Sequence, residues 1–169
     1  MALARVLKDL NIHNDGMSYL GHANAFTQPK LARKFEDYRA AGMDSAVKVD
    51  MGGEPLEAEF TTAGPMRDVL AQYGMTTLDG VMLRFVGAYQ NEEDGSYDSI
   101  EITVRGRHEE IDMGEAKVGE MGEFKVKSAL VYYKLDWNGR TVVEIDTLNM
   151  TLIVDGVDRL AGRRAALGL

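Results

Sequence analysis

The stretch QNEEDGSYDSIE, residues 90–101, spaces its carboxylates much as a calcium loop does. With Gly95 in the sixth position, Glu92, Asp94, Asp98 and Glu101 fall at the third, fifth, ninth and twelfth. The first position fails, being Gln90, and the flanks fail too. Val81–Tyr89 and Ser99–Arg105 alternate as strands, whereas such a loop needs a helix on each side. The stretch is expected to be an acidic hairpin tip. His13, His22 and His108 are too far apart for a short-spacing metal motif. His108-Glu109-Glu110 could supply an acid and a base, but no GxSxG nucleophile turn or glycine-rich phosphate loop accompanies them. The absence of cysteine excludes disulfides, zinc–thiolate sites and thiol catalysis. The expectation is a non-enzyme with no cofactor and no metal.

The elements that would carry these residues are mostly strands. Val47-Val49-Met51, Leu56-Ala58-Phe60, Val81-Leu83-Phe85, Ile100-Ile102-Val104 and Phe124-Val126 leading into Leu130-Tyr132 all follow the two-residue period of a half-buried strand. Gly52-Gly53-Glu54-Pro55, Asp94-Gly95 and Asn138-Gly139 mark hairpin turns, the last pairing Phe124–Asp136 with Arg140–Asp146. One helix is expected in TTAGPMRDVLAQYGM. Pro65 suits its first turn, Gly74 its end, and Met66, Val69, Leu70 and Tyr73 form an apolar stripe that should cover a sheet or plug a barrel end. A shorter helix is expected in VDRLAGRRAALGL.

At 169 residues, with 45% hydrophobic and 27% charged residues, the chain is expected to be one folded domain. No run is apolar enough to cross a membrane, and the N-terminus does not read as a secretory signal. The formal net charge of -8 argues against tight binding of nucleic acid. It is also localised: Glu92–Glu123 holds eleven acids and three bases, while the rest of the chain balances sixteen against sixteen.

The segment PKLARKFEDYRAAGMDSAVKVDMG, residues 29–52, contains no chemistry of its own. Leu31, Phe35 and Tyr38 at i, i+4 and i+7, with the pair Arg33–Asp37, make periodicity favour a helix over Pro29–Ala41. Yet Pro29-Lys30-Leu31, Lys34, Glu36, Tyr38, Arg39, Gly42, Met43 and Asp50-Met51-Gly52 follow in order a pattern that resembles the major tail tube protein of contractile-tailed phages and R-type tailocins. Ala41 replaces a glycine of that pattern and Val49 an isoleucine. The resemblance continues in LNIHNDG from Leu10 to Gly16, then in Tyr132-Tyr133-Lys134-Leu135, Gly139-Arg140, Glu144-Ile145-Asp146, Gly156-Val157-Asp158, Leu160-Ala161 and Leu167-Gly168-Leu169.

That resemblance implies a mainly β, sandwich- or barrel-like subunit with one prominent helix, six copies of which form a continuous ring barrel, with rings stacked into a tube. Residues 1–169 would form a single tail tube domain with an N-terminal arm, 1–16, and an extended inter-subunit loop, 39–55. It makes Pro29–Tyr38 a strand, against the helical periodicity, because a sheet completed by neighbours can override local propensity. The interface would use Tyr38, Arg39, Gly42, Met43, Val47, Val49 and Met51. Lumen-lining candidates are Glu101, Glu109 and Glu110. The implied partners are other copies of the chain in hexameric rings, the sheath protein, a tape measure protein in the lumen, the baseplate tube initiator, the tail terminator, and DNA that passes without specific binding; no membrane is implied. The implied location is the virion tail, assembled in the bacterial host cytoplasm. The tube of a headless tailocin or related injection machine is an alternative, and a monomeric small-ligand-binding β-barrel a more distant one.

Overall fold

Alternation along the chain becomes strand throughout the computed structural model, which describes all 169 residues. In chain order the elements are β1 (Arg5–Asn14), β2 (Met17–Ser18), β3 (Ala23–Thr27), β4 (Arg33–Tyr38), β5 (Val47–Gly53), β6 (Leu56–Thr62), α1 (Arg67–Ala71), β7 (Val81–Asn91), β8 (Tyr97–Asp112), β9 (Phe124–Trp137), β10 (Arg140–Asp146), β11 (Thr151–Val154), β12 (Val157–Asp158) and α2 (Ala161–Ala166). Helix is confined to α1 and α2, so the fold is mainly β. The main sheet runs β12-β11-β10-β9-β8-β7-β1-β2, every pair antiparallel. β9 and β10 pair as expected, joined by Asn138 and Gly139 at φ 49° and 79°, the positive angles a type I′ turn requires. Residues 1–16, expected as an arm, include β1, which pairs along β7 from Arg5 to Asn14.

The long β8–β9 ribbon belongs to two layers. Its Ile100–Arg105 and Tyr132–Trp137 halves lie between β7 and β10, while beyond Gly106 the Phe124–Leu130 half of β9 pairs with β6, which in turn pairs with β3. The register slips between Arg105 and Gly106. A Cβ on Gly106 would overlap the carbonyl oxygen of Ala129, so only glycine allows the strands to approach at this bend. The β6–β3 layer thereby comes back over the main sheet. Phe60, Val126 and Phe124 join Ile12, Leu83, Phe85, Ile102, Val104 and Tyr133 in one buried core, and Phe26 of β3 stacks on Phe85 of β7 at 4.7 Å.

One conflict is resolved and two expectations are corrected. Pro29–Ala41 is not the helix its periodicity favours; Arg33–Tyr38 is a strand, as the resemblance implies, and β4 and β5 form a separate antiparallel ladder, with Tyr38 opposite Val47 and Glu36 opposite Val49. The β-branched Val47 and Val49 supply a partner strand, and cross-strand pairing outweighs a helical stripe with no groove to fill. Gly52–Pro55 is not a hairpin turn, because β5 pairs back to β4 while β6 pairs with β3 and β9; the four residues carry the chain from one sheet to the other. The stripe expected around α1 is only partly inward. Val69 is fully buried and Met66 packs against the core, but Leu70 and Tyr73 are exposed.

A polar clasp fixes α1 to the sheet. Gln72 ends α1, and its carboxamide donates to Asn14 Oδ1 (2.9 Å) and Asp15 Oδ2 (2.7 Å) and accepts from Asn14 Nδ2 (2.8 Å). Its oxygen also lies 2.9 Å from His108 Nε2, while His108 Nδ1 lies 2.9 Å from Ser128 Oγ. Because that oxygen can only accept, Nε2 carries a proton, and in the neutral ring Nδ1 accepts from the Ser128 hydroxyl. Burial lowers the His108 pKa from the usual 6.5 to about 4, with nearby Asp15 opposing weakly. A histidine held neutral contributes stability that is complete above its unfolded pKa and is lost as pH falls from about 6.5 towards about 4. The full loss for this group is up to about 3 kcal/mol. Denaturant unfolding of dissociated subunits at pH 7 and pH 4.5 should show this loss in the wild type and a smaller pH dependence in His108→Gln; equal pH dependence in both would contradict it.

Candidate assembly surface

β4 and β5 project as a hairpin that leaves neither face covered. Every residue of β4 is exposed, as is every residue of β5 except the half-buried Gly52. Opposite positions share a side, so Tyr38, Val47, Val49 and Met51 form an apolar stripe on one face, with Lys34 and Glu36 beside it. The other face sets Phe35 between the ion pairs Arg33–Asp50 and Asp37–Lys48. The Arg33 guanidinium, helped by the Gly52 amide, holds the Asp50 carboxyl below the usual carboxylate range. Across the root, Glu54 N–H donates to the Ala32 carbonyl at 2.9 Å.

The structure brings together most of the residues singled out as interface candidates. Tyr38, Val47, Val49 and Met51 share the apolar face, while Arg39, Gly42 and Met43 build the tip. Gly42 turns at φ 88°, and the half-buried Met43 accepts at its carbonyl from Arg39 Nε (3.1 Å) and at its sulfur from Ala40 N–H (3.3 Å). Met43 thus packs into its own tip. Phe35 and Leu31, each 51% exposed, are absent from that candidate set; the signal for them is β alternation, hidden while Pro29–Ala41 reads as helix.

The lumen candidates do not form one cluster. Glu101 lies on the face of the main sheet turned away from the core, 3.4 Å from Arg84 of the neighbouring strand. Lys134 pairs with Asp136 on the same face, Tyr132 donates to Glu144 at 2.9 Å, and Arg105 lies over the Tyr132 ring. Glu109 and Glu110 sit beyond the Gly106 bend, Glu110 opposite Lys127 of β9. The acidic segment is therefore divided. Glu92, Glu93 and Asp94 occupy the β7–β8 turn, Asp112 ends β8, and Glu115, Glu120 and Glu123 follow in the loop to β9. Strands flank the 92–96 turn on both sides, as a hairpin tip requires.

His13 is on β1, with Nε2 3.5 Å from Arg84 Nη2, His22 precedes β3, and His108 is in the clasp. A cavity of about 400 Å³ at the hairpin root is open and polar, lined by Lys30, Glu54, Glu57, Glu59 and Lys127 among others. It is far from the mostly apolar enclosure of a small-molecule site.

Surface area says what the exposed apolar side chains are for. The chain exposes 10941 Å², against about 8,300 Å² for a compact monomer of 18.7 kDa. The excess is larger than the area that a single standard protein–protein interface removes from water. Sixteen apolar residues form the core, while twenty-four large ones remain exposed, the hairpin set among them. The arrangement is suited to assembly.

Comparison with known proteins gives the same direction. Residues 4–168 match the family model described as phage tail tube protein FII. The chain is 42% identical over 172 residues to the tail tube protein of Escherichia phage P2, covering all of both chains. It is 36% identical over 172 residues to the major tail tube protein of Serratia phage KSP20, covering all of this chain and 99% of that one. Its fold resembles the sheath/tube terminator of PVC, an extracellular contractile injection system in the extended state, with a TM-score of 0.60 at 6% identity, over 79% of this chain and 97% of that one.

Proposed function

We infer the working assembly from one premise: this chain belongs to the phage tail tube protein FII family. It is a structural component of a contractile phage tail, the tail tube protein. We propose that it works as hexameric rings stacked head to tail, with β4–β5 of each copy buried against a copy in the neighbouring ring. The observation that carries this reading is the hairpin's exposure on both faces, with Phe35, Tyr38, Val47, Val49 and Met51 all presented to water. Within a ring, edge pairing is the natural joint. β2 meets β1 only at His13 and Asn14, so the outer edge of β1 from Arg5 to Asn11 offers its backbone groups to a neighbour. A head-to-tail contact between rings does not close on itself and so generates a tube. The proposed partners are the sheath protein, a tape measure protein in the lumen, the baseplate tube initiator and the tail terminator, with assembly in the host cytoplasm. The same subunit suits a headless injection machine, and the likeness to the PVC terminator fold supports that second reading.

We also propose that the polar face of the main sheet lines the lumen, with Glu101 as its leading acid. Pairing of Glu101 with Arg84 and of Asp136 with Lys134 leaves a wall without a free basic stripe, which lets DNA slide without binding. Glu109 and Glu110, on the far side of the bend, are rim positions in this scheme.

Two outcomes test these readings. Replacing both Val49 and Met51 by Asp should leave subunits folded by circular dichroism yet abolish tubes in negative-stain microscopy, because unpaired charge would enter a contact that excludes water; normal tubes would contradict the hairpin's role. Glu101→Lys should permit tubes but slow DNA ejection several-fold, by placing a second cation beside Arg84 in every copy. Ejection at the wild-type rate from particles built wholly of this variant would overturn the lumen assignment.

A further inference from the structure

Head-to-tail stacking needs a second surface, different from the hairpin, at the other end of the subunit. The chain order places it. The hairpin enters β6 at Leu56, and α1 follows from the opposite end of β6 at Thr62. At that α1 end the apolar stripe is unfinished: Val69 fills the core, but Leu70, Tyr73 and Leu78 are 37%, 69% and 47% exposed. We propose, resting on the stacked-ring reading, that this α1 surface is the socket for the β4–β5 hairpin of a second copy of the chain.

The two surfaces are complementary in kind. Each has an apolar centre. The hairpin's strand charges are matched internally, in Arg33–Asp50, Lys34–Glu36 and Asp37–Lys48, so its tip offers one cation, Arg39, and one carboxylate, Asp44, that have no ion-pair partner. The α1 surface likewise offers both signs without ion-pair partners, the cations Arg67 and Arg107, the latter bonded to the Thr76 carbonyl, and the carboxylates Asp68 and Asp79. Opposite charges can therefore meet in one orientation, which sets register more than affinity. The area also fits a second copy, because the surplus over a compact monomer of this mass exceeds what a single interface of standard size removes. The clasp gives the socket its rigidity. Gln72 directly precedes Tyr73, and its carboxamide is held by Asn14, Asp15 and His108, so Tyr73 stands on a fixed base. A pre-organised surface loses less entropy on binding.

The chain has no cysteine, which makes a cross-link readable. Tubes built of the double variant Val49→Cys, Tyr73→Cys should, on mild oxidation, give a ladder of dimers, trimers and longer species in non-reducing electrophoresis, while each single variant gives none. Tubes seen by microscopy without a ladder would overturn the socket and leave stacking intact; wild-type protein that forms no tubes at all would overturn the stacking reading beneath it. A second variant covers failure of the cysteine pair to assemble. Tyr73→Asp with Leu78→Asp changes exposed positions only, so it should keep the subunit's unfolding midpoint near wild type while abolishing tubes. Normal tubes from that variant would contradict the proposal.

Discussion

A two-stranded hairpin satisfies its own backbone but buries almost nothing, and in water such a unit is marginal at best. β4–β5 is such a unit. It has no third strand, no helix against either face, and an apolar stripe of Tyr38, Val47, Val49 and Met51 held outward. Internal ion pairs on both faces of the hairpin give it shape without supplying much stability, since exposed pairs contribute about 0–1 kcal/mol each. The missing free energy has to come from another surface. The rest of the subunit is consistent with that requirement: the bend at Gly106 folds the β6–β3 layer over the main sheet, closing a core that does not need the hairpin, and so leaves it free to be shared.

The same division accounts for where the polar groups of the chain lie. Its buried histidine is in a structural clasp, its carboxylates are spread along the whole length of β8 and the loop beyond, and the cavity at the hairpin root is an open polar recess. What the polar face of the main sheet supplies is a mixed lattice of pairs, Arg84–Glu101, Lys134–Asp136 and Tyr132–Glu144, rather than a converging set of reactive groups.

Much of the core was legible in sequence. The alternating runs Leu56–Phe60, Val81–Phe85 and Ile100–Val104 are strands whose apolar members are buried, and Asn138-Gly139 turns where its dipeptide says it should. The failures share a cause. Leu31, Phe35 and Tyr38 satisfy a helical period, and Leu70 and Tyr73 satisfy one too, yet neither set finds a core in its own chain. Periodicity reports that a face is apolar without saying whether its own chain covers it. Likewise Gly52–Pro55 has turn composition but serves a sheet-to-sheet crossing, a distinction made by pairings far away in sequence. Tyr73 belongs to the expected stripe, but α1 ends at Ala71 and leaves it outside, and Leu78 lies beyond the helix that periodicity marks.

Backbone hydrogen exchange of residues 33–53, compared between dissociated subunits and assembled tubes, tests burial of the hairpin most directly. Fast exchange in the free subunit and strong protection throughout β4 and β5 in the tube is the expected result. Equal exchange in the two states would contradict it.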